Sequence, residues 1–428
     1  MRIEDPLANQ PLDWTTKGLS ESLESTRTSD SVAPPLSLFS GDLYFPVAAL
    51  KHSAVMHNSN WMREFTSASG ISIAPHGKTT MAPDLFRLQL EDGAWAMTAA
   101  TVNQVRVFRQ FGVRRILLAN QLVGTGSINW ILGELMRYPD FELYSLVDSI
   151  DGVKALVDAC DTTGFPGRLN LLIEVGLKGG RAGARSLNSG LELARAIAQS
   201  PTLKLVGIEA FEGVFQLDSN ADEAVDSLLE FLIALAQSCD NKGYFEDEII
   251  LTAGGSSYFD RVAETFLSVT LSKEVRIVLR SGCYLTHDNG MYQQLFDGLL
   301  ARSTTAKSIG TGLRPALQIW AYVQSIPESG RIICSMGKRD CGSDAGVPVP
   351  VLWARPGETG PKGIPVGHNV VSLNDHHAFI DAPPDGPLHV GDLVGFGISH
   401  PCTTFDRWRA LLVIDDDWNV SKVIRTYF

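Results

Sequence analysis

One lysine, Lys78, stands where an alternating apolar run of this sequence ends. The run Ile71-Ser-Ile-Ala-Pro75 gives way to a His-Gly-Lys turn, so the side chain of Lys78 is expected to project from the carboxyl end of a buried strand. A partly desolvated amine is the group that forms a Schiff base with the carbonyl of a cofactor or substrate. A solvated lysine on a loop is the alternative, and other features of the chain decide between the two.

Two glycine-bearing turns follow the last two of eight strand-like runs. The seventh run ends in Thr252-Ala-Gly-Gly-Ser-Ser257, and the eighth ends in Leu279-Arg-Ser-Gly-Cys283. In a parallel barrel these two loops are the usual phosphate site, because their glycines let backbone N–H groups converge on an anion. A phosphate pocket facing an amine suits a cofactor that has both a phosphate and an aldehyde, and pyridoxal phosphate is the candidate. A tight turn without a ligand is the alternative.

A third glycine-rich segment ends the fifth run. It reads Glu174-Val-Gly-Leu-Lys-Gly-Gly-Arg181-Ala-Gly183. Its arginine, Arg181, is placed to point at the cofactor ring, where a guanidinium would keep the pyridine nitrogen unprotonated and weaken the ring as an electron sink. An exposed loop arginine is the alternative interpretation, with equal weight.

A histidine and a cysteine two positions apart, His400 and Cys402, follow a strand predicted over Leu393–Gly397. The period of two places both side chains of a pair leaving a strand on one face, where imidazole and thiolate can share a metal ion. A nitrogen and sulfur pair of this kind favours Zn²⁺. A surface histidine beside a buried cysteine is the alternative.

The segment Asn374-Asp-His-His377 offers further donors. Either His377 or Asp375 can add a metal ligand, position a water or act as an acid or base. A hairpin turn without a chemical role explains the same residues equally well.

The elements that must position these residues form two series. From about residue 40, eight strand-like runs alternate with amphipathic helical segments, which predicts an α/β fold with a closed (β/α)₈ TIM-like barrel; a doubly wound open sheet is the alternative. The eight runs cover residues 71–75, 94–98, 115–119, 142–147, 169–175, 203–210, 248–253 and 275–279. After about residue 305, short strands separated by Pro and Gly turns predict a mainly antiparallel β domain, a sandwich or small barrel. These predicted strands cover residues 316–326, 331–335, 349–354, 370–373, 393–397, 410–413 and 422–427. We therefore divide the chain into an N-terminal extension (1–40), a cofactor-binding barrel (41–304) and a C-terminal β domain with the metal pair (305–428).

Composition narrows the class of protein. The 428-residue chain has 48 Asp+Glu against 36 Lys+Arg and no basic run, so nucleic acid is an unsuitable partner. It has no apolar stretch of about 18 residues and no apolar signal segment at its start, which predicts a cytoplasmic protein without a membrane partner. The six cysteines lack paired spacing and are expected to be free thiols.

Taken together, these motifs resemble those of D-serine dehydratase and D-threonine aldolase, pyridoxal-phosphate enzymes of the alanine-racemase-like fold type III class. The resemblance covers roughly residues 40–428. It rests on motifs in the expected order, which are Pro75-His-Gly-Lys-Thr79, the loop 176–183, Gly207-Ile-Glu-Ala-Phe-Glu-Gly213, Gly254-Gly-Ser256, Arg280-Ser-Gly282 and His400-Pro-Cys402. The combination of the lysine motif with a distant His-x-Cys is the specific part.

The resemblance implies roles for individual residues. Lys78 would hold the cofactor, His400 and Cys402 would hold the metal, and His377 would be the functional imidazole. The implied cofactor contacts are His76, Lys78, Arg181 and Phe211, with Gly255, Ser256, Gly282 and Cys283 around the phosphate. Two positions depart from the family pattern: Phe211 stands where a tyrosine is usual near the pyridine ring, and Val214 where a histidine often follows Glu-Gly.

The function that these implications predict is a pyridoxal-phosphate- and metal-dependent D-serine dehydratase, acting on D-serine or a related small β-hydroxy D-amino acid. The metal, expected to be zinc, would act as a Lewis acid on the departing hydroxyl group. D-threonine aldolase activity is the nearest alternative, and a non-catalytic pyridoxal-phosphate protein is the alternative from another class. A racemase and a cofactor-free metallohydrolase explain fewer of the motifs. The resemblance also implies a homodimer.

Overall fold

The computed structural model describes residues 11–23, 26, 30–215 and 220–428 of the chain. Its strands, in chain order, are β1 Ser31–Ser37, β2 Val47–Lys51, β3 Ser72–Ile73, β4 Met97–Ala99, β5 Arg115–Gln121, β6 Glu142–Val147, β7 Leu169–Val175, β8 Leu203–Ala210, β9 Ile249–Ala253, β10 Val275–Leu279, β11 Leu317–Glu328, β12 Arg331–Cys334, β13 Val349–Ala354, β14 Lys362–Gly363, β15 Asn369–Leu373, β16 Ala378–Asp381, β17 Leu393–Gly397, β18 Ala410–Ile414 and β19 Asn419–Arg425.

The α-helices are α1 His52–Ser69, α2 Pro83–Glu91, α3 Val102–Gln110, α4 Thr125–Arg137, α5 Ile150–Thr163, α6 Leu187–Ala198, α7 Ala221–Asn241, α8 Phe259–Leu267, α9 Met291–Arg302, α10 Thr304–Ile309 and α11 Pro401–Phe405. The described chain divides into two compact units. The barrel unit comprises Glu64–Lys78 and Gln89–Gly282; the sheet unit comprises the described part of Glu4–Arg63 together with Thr79–Leu88 and Cys283–Phe428.

Eight parallel strands form the barrel unit, in the order β3-β10-β9-β8-β7-β6-β5-β4. Hydrogen bonds join the two ends of this path: the N–H of Trp95 donates to the carbonyl of Ile73 at 2.8 Å, and the N–H of Thr98 donates to that of Pro75 at 2.9 Å. The ring of strands is thereby linked all round, as the closed barrel requires. This confirms the predicted α/β barrel over the open sheet.

A cluster of buried apolar side chains from successive strands packs in the barrel unit. Its members are Ala74, Ala96, Leu146, Leu172, Val206, Ile250 and Val278. Because parallel strands in this architecture are covered on both faces, their sequences read as nearly continuous apolar runs. That is why β6, β7, β8 and β10 have the bounds that the sequence predicts.

Three of the helices between the strands begin at short polar residues. The side chains of Thr101, Ser149 and Ser186 each accept a hydrogen bond from a backbone N–H in the first turn of α3, α5 and α6 respectively. Such caps satisfy N–H groups that have no partner within the helix. The helix starts are thus fixed by local sequence, close to where the amphipathic pattern predicts them.

The sheet unit is built on an eleven-stranded sheet in which β11 is central. β11 pairs antiparallel with β2, β12 and β17, while β18 pairs parallel with β2 and antiparallel with β19. The ring of Trp320, fully buried, lies 5.1 Å from that of Phe39 and 5.6 Å from that of Trp418. The mainly antiparallel C-terminal sheet confirms the second part of the predicted fold.

Four strands of the sheet unit were not among those predicted from the sequence. They are β1, β2, β14 and β16. The strand β2 pairs with residues more than 260 positions away, and a short run such as Val-Ala-Ala-Leu shows no periodicity that reveals such a pairing.

The domain boundaries at residues 40 and 304 stay a prediction, and parts of the extension (1–10, 24–25 and 27–29) lie outside the described residues. None of the helices in the described ranges combines the length and apolar character needed to cross a membrane.

Candidate active site

Lys78 lies just past the carboxyl end of β3. The strand pairing continues to His76, which bridges Thr98, and the chain then enters the 3₁₀ turn Gly77–Thr79. Gly77 is required there, because a Cβ at this position would lie 2.5 Å from Cζ of Phe108. The close packing of the turn fixes Lys78, which is half-buried, at the rim of the barrel where this fold places its chemistry.

His76 carries an unsatisfied polar atom. Its Nδ1 is buried and has no hydrogen-bond partner among the described residues. Burial, and then the positive charges of Lys78 and Arg280, hold the pKa of His76 well below its usual value, so the ring is neutral at neutral pH. Buried polar atoms are nearly always satisfied, and an orphan beside the predicted cofactor lysine is a site where a ligand or water would bind. This observation fits a bound cofactor.

The two predicted phosphate turns lie against each other at the ends of β9 and β10. The N–H of Arg280 donates to the carbonyl of Gly254 at 3.1 Å, and the hydroxyl of Ser281 donates to the carbonyl of Gly255 at 2.8 Å. Gly254 has φ +91°, a conformation that favours glycine. The structure therefore places the two turns side by side, and phosphate binding at Gly255, Ser256 and Gly282 stays a prediction.

A carboxylate that the sequence analysis did not single out occupies the first of these turns. The N–H groups of Gly254 and Gly255 donate to the two oxygens of Glu212, at 3.1 and 2.5 Å. Glu212 is fully buried, and burial raises the pKa of its carboxyl group. The turn is thus an anion-binding nest, and in this conformation the anion is a side chain of the protein itself.

A buried ion pair lies beneath the same turns. A guanidinium nitrogen of Arg280 is 2.5 Å from a carboxylate oxygen of Glu209, and the guanidinium also donates to Thr252 Oγ1 and to the carbonyl of Ala210. Burial raises the pKa of Glu209 to about 8, against the opposing effect of Arg280. Both residues belong to motifs that the sequence analysis quoted, Glu-Ala-Phe-Glu-Gly and Arg-Ser-Gly. The sequence did contain a signal for Glu209, because it is an acidic residue inside the otherwise mainly apolar strand β8.

Arg181 and Phe211 meet at the end of β8. The Arg181 guanidinium lies 4.5 Å from the centre of the Phe211 ring, and one of its nitrogens is 3.6 Å from a carboxylate oxygen of Glu174. Glu174 also accepts a hydrogen bond from Gln121 at 2.5 Å. Although the side chain of Arg181 is 48% exposed, it is held by an aromatic face and a buried carboxylate rather than extending freely into solvent.

In the sheet unit, His400 and Cys402 are not arranged as the sequence argument assumed. The chain does not continue as a strand: α11 begins at Pro401, His400 is its N-cap residue and Cys402 lies in its first turn. The reasoning from a period of two is therefore wrong, because a proline at the first helical position favours a helix start. The Sγ of Cys402 lies 3.4 Å from Thr79 Oγ1 and 3.6 Å from Cys283 Sγ.

The ring of His400 is held in a defined orientation. Its Nδ1 is 2.6 Å from a carboxylate oxygen of Asp344, whose other oxygen accepts a hydrogen bond from Thr403. Burial opposes ionisation, but the hydrogen bonds from Thr403 and His400 keep the pKa of Asp344 below its usual value. When Nδ1 donates to a carboxylate, the lone pair of Nε2 is available for a metal, as in many metal sites. His400 and Cys402 thus have the chemistry of a zinc-binding pair, although the described residues contain no group of three or more His, Cys, Asp or Glu side chains placed to hold a metal ion.

His377 lies in the hairpin turn between β15 and β16. The N–H of Asn374 donates to the carbonyl of His377 at 2.9 Å, and Asp375 pairs with Arg339 at 3.2 Å. The ring of His377 is half-exposed. The turn is therefore the hairpin that the sequence analysis named as an alternative, and a chemical role for His377 stays a prediction.

The chain matches known proteins over most of its length. Residues 316–414 match the family model described as a putative serine dehydratase domain. A D-threonine aldolase from Arthrobacter sp. is 22% identical over 373 residues, which cover 85% of this chain and 88% of that protein.

Among solved structures, the D-threonine aldolase from Filomicrobium marinum superposes with a TM-score of 0.73 at 19% identity, covering 90% of this chain and 95% of that one. D-threo-3-hydroxyaspartate dehydratase from Delftia sp. HT23 superposes with a TM-score of 0.68 at 18% identity, covering 90% and 98%. D-threo-3-hydroxyaspartate dehydratase has also been solved as a histidine variant and as a cysteine variant, the latter in a metal-free form. An alanine racemase from Clostridium difficile 630 has a TM-score of 0.58 at 13% identity and 90% and 98% coverage.

The chain therefore shares its fold, a (β/α)₈ barrel unit and a mainly antiparallel sheet unit, with these alanine-racemase-like structures. In sequence, the chain is similar to D-threonine aldolase over most of its length, and residues 316–414 match the putative serine dehydratase domain.

Proposed function

We propose that this enzyme is a pyridoxal-phosphate-dependent and metal-assisted dehydratase, which converts D-serine or a related β-hydroxy D-amino acid to the 2-oxo acid and ammonia. The observation that carries the cofactor assignment is the rim position of Lys78, with the unsatisfied Nδ1 of His76 two residues before it. The paired glycine turns of β9 and β10 in the same unit give independent support.

Pyridoxal phosphate, when bound, withdraws electrons from the substrate Cα and so makes its proton acidic. Lys78 would hold the cofactor covalently. When its amine is not bound to the cofactor, Lys78 would remove the Cα proton of the substrate as a general base. Because His76 is neutral, it does not add a second positive charge beside this amine.

The phosphate would be held at the turns that contain Gly255, Ser256 and Gly282, and we keep Cys283 as a proposed contact through its backbone. The anion nest at Gly254 and Gly255 already binds the Glu212 carboxylate. Two negative groups cannot share two N–H donors at low cost, because each would lose part of its hydrogen bonding in a buried site. The phosphate must therefore either displace Glu212 or use the neighbouring groups, and Arg181 over Phe211 would lie beside the ring.

A metal ion, expected to be zinc, supplies Lewis acidity that makes a hydroxyl group a better leaving group. The side chains that would hold it are His400, oriented by Asp344, and Cys402. In the dehydratase solved as histidine and cysteine variants, the two replaced residues are two positions apart, as His400 and Cys402 are here. This spacing favours dehydration as the outcome.

Retro-aldol cleavage is the second candidate, because the relatives include D-threonine aldolases of similar length. The two reactions differ in their products: dehydration gives a 2-oxo acid and ammonia, whereas cleavage gives glycine and an aldehyde. The deciding experiment incubates the enzyme with pyridoxal phosphate and Zn²⁺ and offers D-serine, D-threonine and D-threo-3-hydroxyaspartate, with L-serine as a stereochemical control. All four products are quantified separately. Glycine and aldehyde as the main products would replace the dehydratase proposal with the aldolase.

A second experiment tests the cofactor assignment without relying on turnover. Borohydride reduces the covalent bond between a lysine and pyridoxal phosphate to a stable amine, so the label should map to the peptide that contains Lys78. Lys78→Ala should remain folded, lose the label and lose turnover. A label on another lysine, or none in the wild-type enzyme, contradicts the assignment.

A further inference from the structure

Two of the six cysteines face each other in the sheet unit. The Sγ atoms of Cys283 and Cys402 are 3.6 Å apart. Cys283 begins the 3₁₀ turn Cys283–Leu285, and Cys402 lies in the first turn of α11. The hydroxyl oxygen of Thr79 contacts both sulfur atoms, at 3.4 Å from Cys402 and 3.9 Å from Cys283. The two thiols and the Thr79 hydroxyl group therefore form one cluster.

The remaining cysteines have different surroundings. They are Cys160, Cys239, Cys334 and Cys341, and all four are buried free thiols. Burial raises the pKa of Cys239, Cys334 and Cys341 to about 12, which suppresses the thiolate that reacts with oxidants. Cys402, in contrast, is partly exposed. A small oxidant therefore reaches the cluster through Cys402, with Cys283 buried behind it.

We propose that Cys283 and Cys402 form a redox-active thiol pair, which an oxidant of the peroxide class converts reversibly to a disulfide. The sulfur atoms need to approach from 3.6 Å to about 2.0 Å, the length of an S–S bond. Cys283 lies in a three-residue 3₁₀ turn and Cys402 in a five-residue helix, so neither sulfur atom is carried by a long element that would have to move.

The chemistry balances with hydrogen peroxide as the two-electron oxidant. The Cys402 thiolate attacks one peroxide oxygen, the O–O bond breaks, and with one proton the products are a sulfenic acid and water. The Cys283 thiol then attacks the Cys402 sulfur, the S–O bond breaks, and the hydroxyl leaves with the thiol proton as a second water. Two thiols and one peroxide thus give one disulfide and two waters. A dithiol reductant reverses the process by thiol exchange.

The pair has a consequence that rests on the proposed function. A sulfur atom in a disulfide cannot bind a metal as a thiolate, so oxidation would remove Cys402 from the metal pair with His400. The oxidised enzyme should then bind less zinc and recover it on reduction. Formation of the disulfide itself does not depend on this role.

The disulfide is tested by peptide mapping of the wild-type holoenzyme. The protein is treated with a chelator, exposed to a small excess of hydrogen peroxide, alkylated and digested with trypsin. Cys283 lies in the peptide 281–302 and Cys402 in the peptide 363–407, each with a single cysteine. We expect a linked peptide two hydrogen atoms lighter than the sum of the two, which disappears after reduction. Recovery of both peptides in alkylated form, with no linked product, overturns the proposal.

Two variants and a metal measurement complete the test. Cys402→Ser should lose the linked peptide without Cys283 joining another cysteine, whereas the matched control Cys160→Ser should form it at the wild-type level. Linkage of Cys283 to one of the other buried cysteines at a similar level contradicts the pairing. In a zinc-loaded sample that has not been treated with the chelator, bound zinc is counted before and after oxidation by atomic absorption. A linked peptide with unchanged zinc binding would keep the thiol pair and remove Cys402 from the proposed metal site.

Discussion

Replacing Gly77 with alanine is the sharpest test of how the fold positions Lys78. The added Cβ would lie 2.5 Å from Cζ of Phe108 and 3.1 Å from Cε of Met97. Carbon atoms in contact are normally about 3.5 to 4.0 Å apart, so the turn or the ring must move by about 1 Å. Phe108 is completely buried and cannot swing into solvent. The backbone of the turn that bears Lys78 is therefore expected to shift.

The clash sets the expected losses of stability and turnover. Overpacking of this kind costs about 1–3 kcal/mol of unfolding free energy. A displacement of about 1 Å in a catalytic group lowers turnover by about 100-fold. We expect Gly77→Ala to show both losses, measured by urea unfolding followed by circular dichroism and by product formation at saturating pyridoxal phosphate.

Two further variants distinguish the steric clash at position 77 from the general effect of replacing a glycine with alanine. Gly133, in α4, has open space around its Cβ position, so Gly133→Ala should gain about 0.5–1 kcal/mol and keep full turnover. Phe108→Leu shortens the clashing ring, so the double variant Gly77→Ala/Phe108→Leu should be more stable than the sum of the two single effects predicts. Wild-type stability and turnover in Gly77→Ala would refute the reasoning, and strict additivity in the double variant would show that Phe108 is not the obstacle.

Three other predictions follow from the site. Removal of metal by a chelator should abolish dehydration but leave the yellow cofactor bound, whereas full activity in a verified metal-free preparation would exclude the metal pair of His400 and Cys402. Burial raises the pKa of Glu212 in the folded protein, so the folded state holds this proton more tightly than the unfolded state, and the unfolding free energy of the wild type should fall as pH rises above about 4.5. The Glu212→Gln variant should lack this contribution to the fall when its unfolding free energy is measured in urea at a series of pH values. Parallel pH profiles of the two proteins would show that burial does not perturb this carboxyl group. Light scattering across a dilution series should give two chains per particle, and a fully active monomer would remove the proposed homodimer.

The barrel and its rim could be predicted from the sequence because the information is local. A parallel strand buried on both faces leaves a continuous apolar run, so β6, β7, β8 and β10 were predicted with their observed bounds. The carboxyl ends of parallel strands share one rim, so the turns after β9 and β10 were expected to lie together before any contact was known. The same argument predicted Lys78 at the end of β3.

Other features were decided only by the tertiary structure, because they depend on partners that are distant in the sequence. Strand β2 joins the sheet unit through β11 and β18, and nothing within its own five residues specifies those partners. Glu212 fills the anion nest because the chain brings its carboxylate to the N–H groups of residues about 40 positions later, which no local pattern records. The pairing of Cys283 with Cys402 spans 119 positions. Periodicity tells which face of an element is buried, but the choice of what is buried against it is made by the packing of the whole chain.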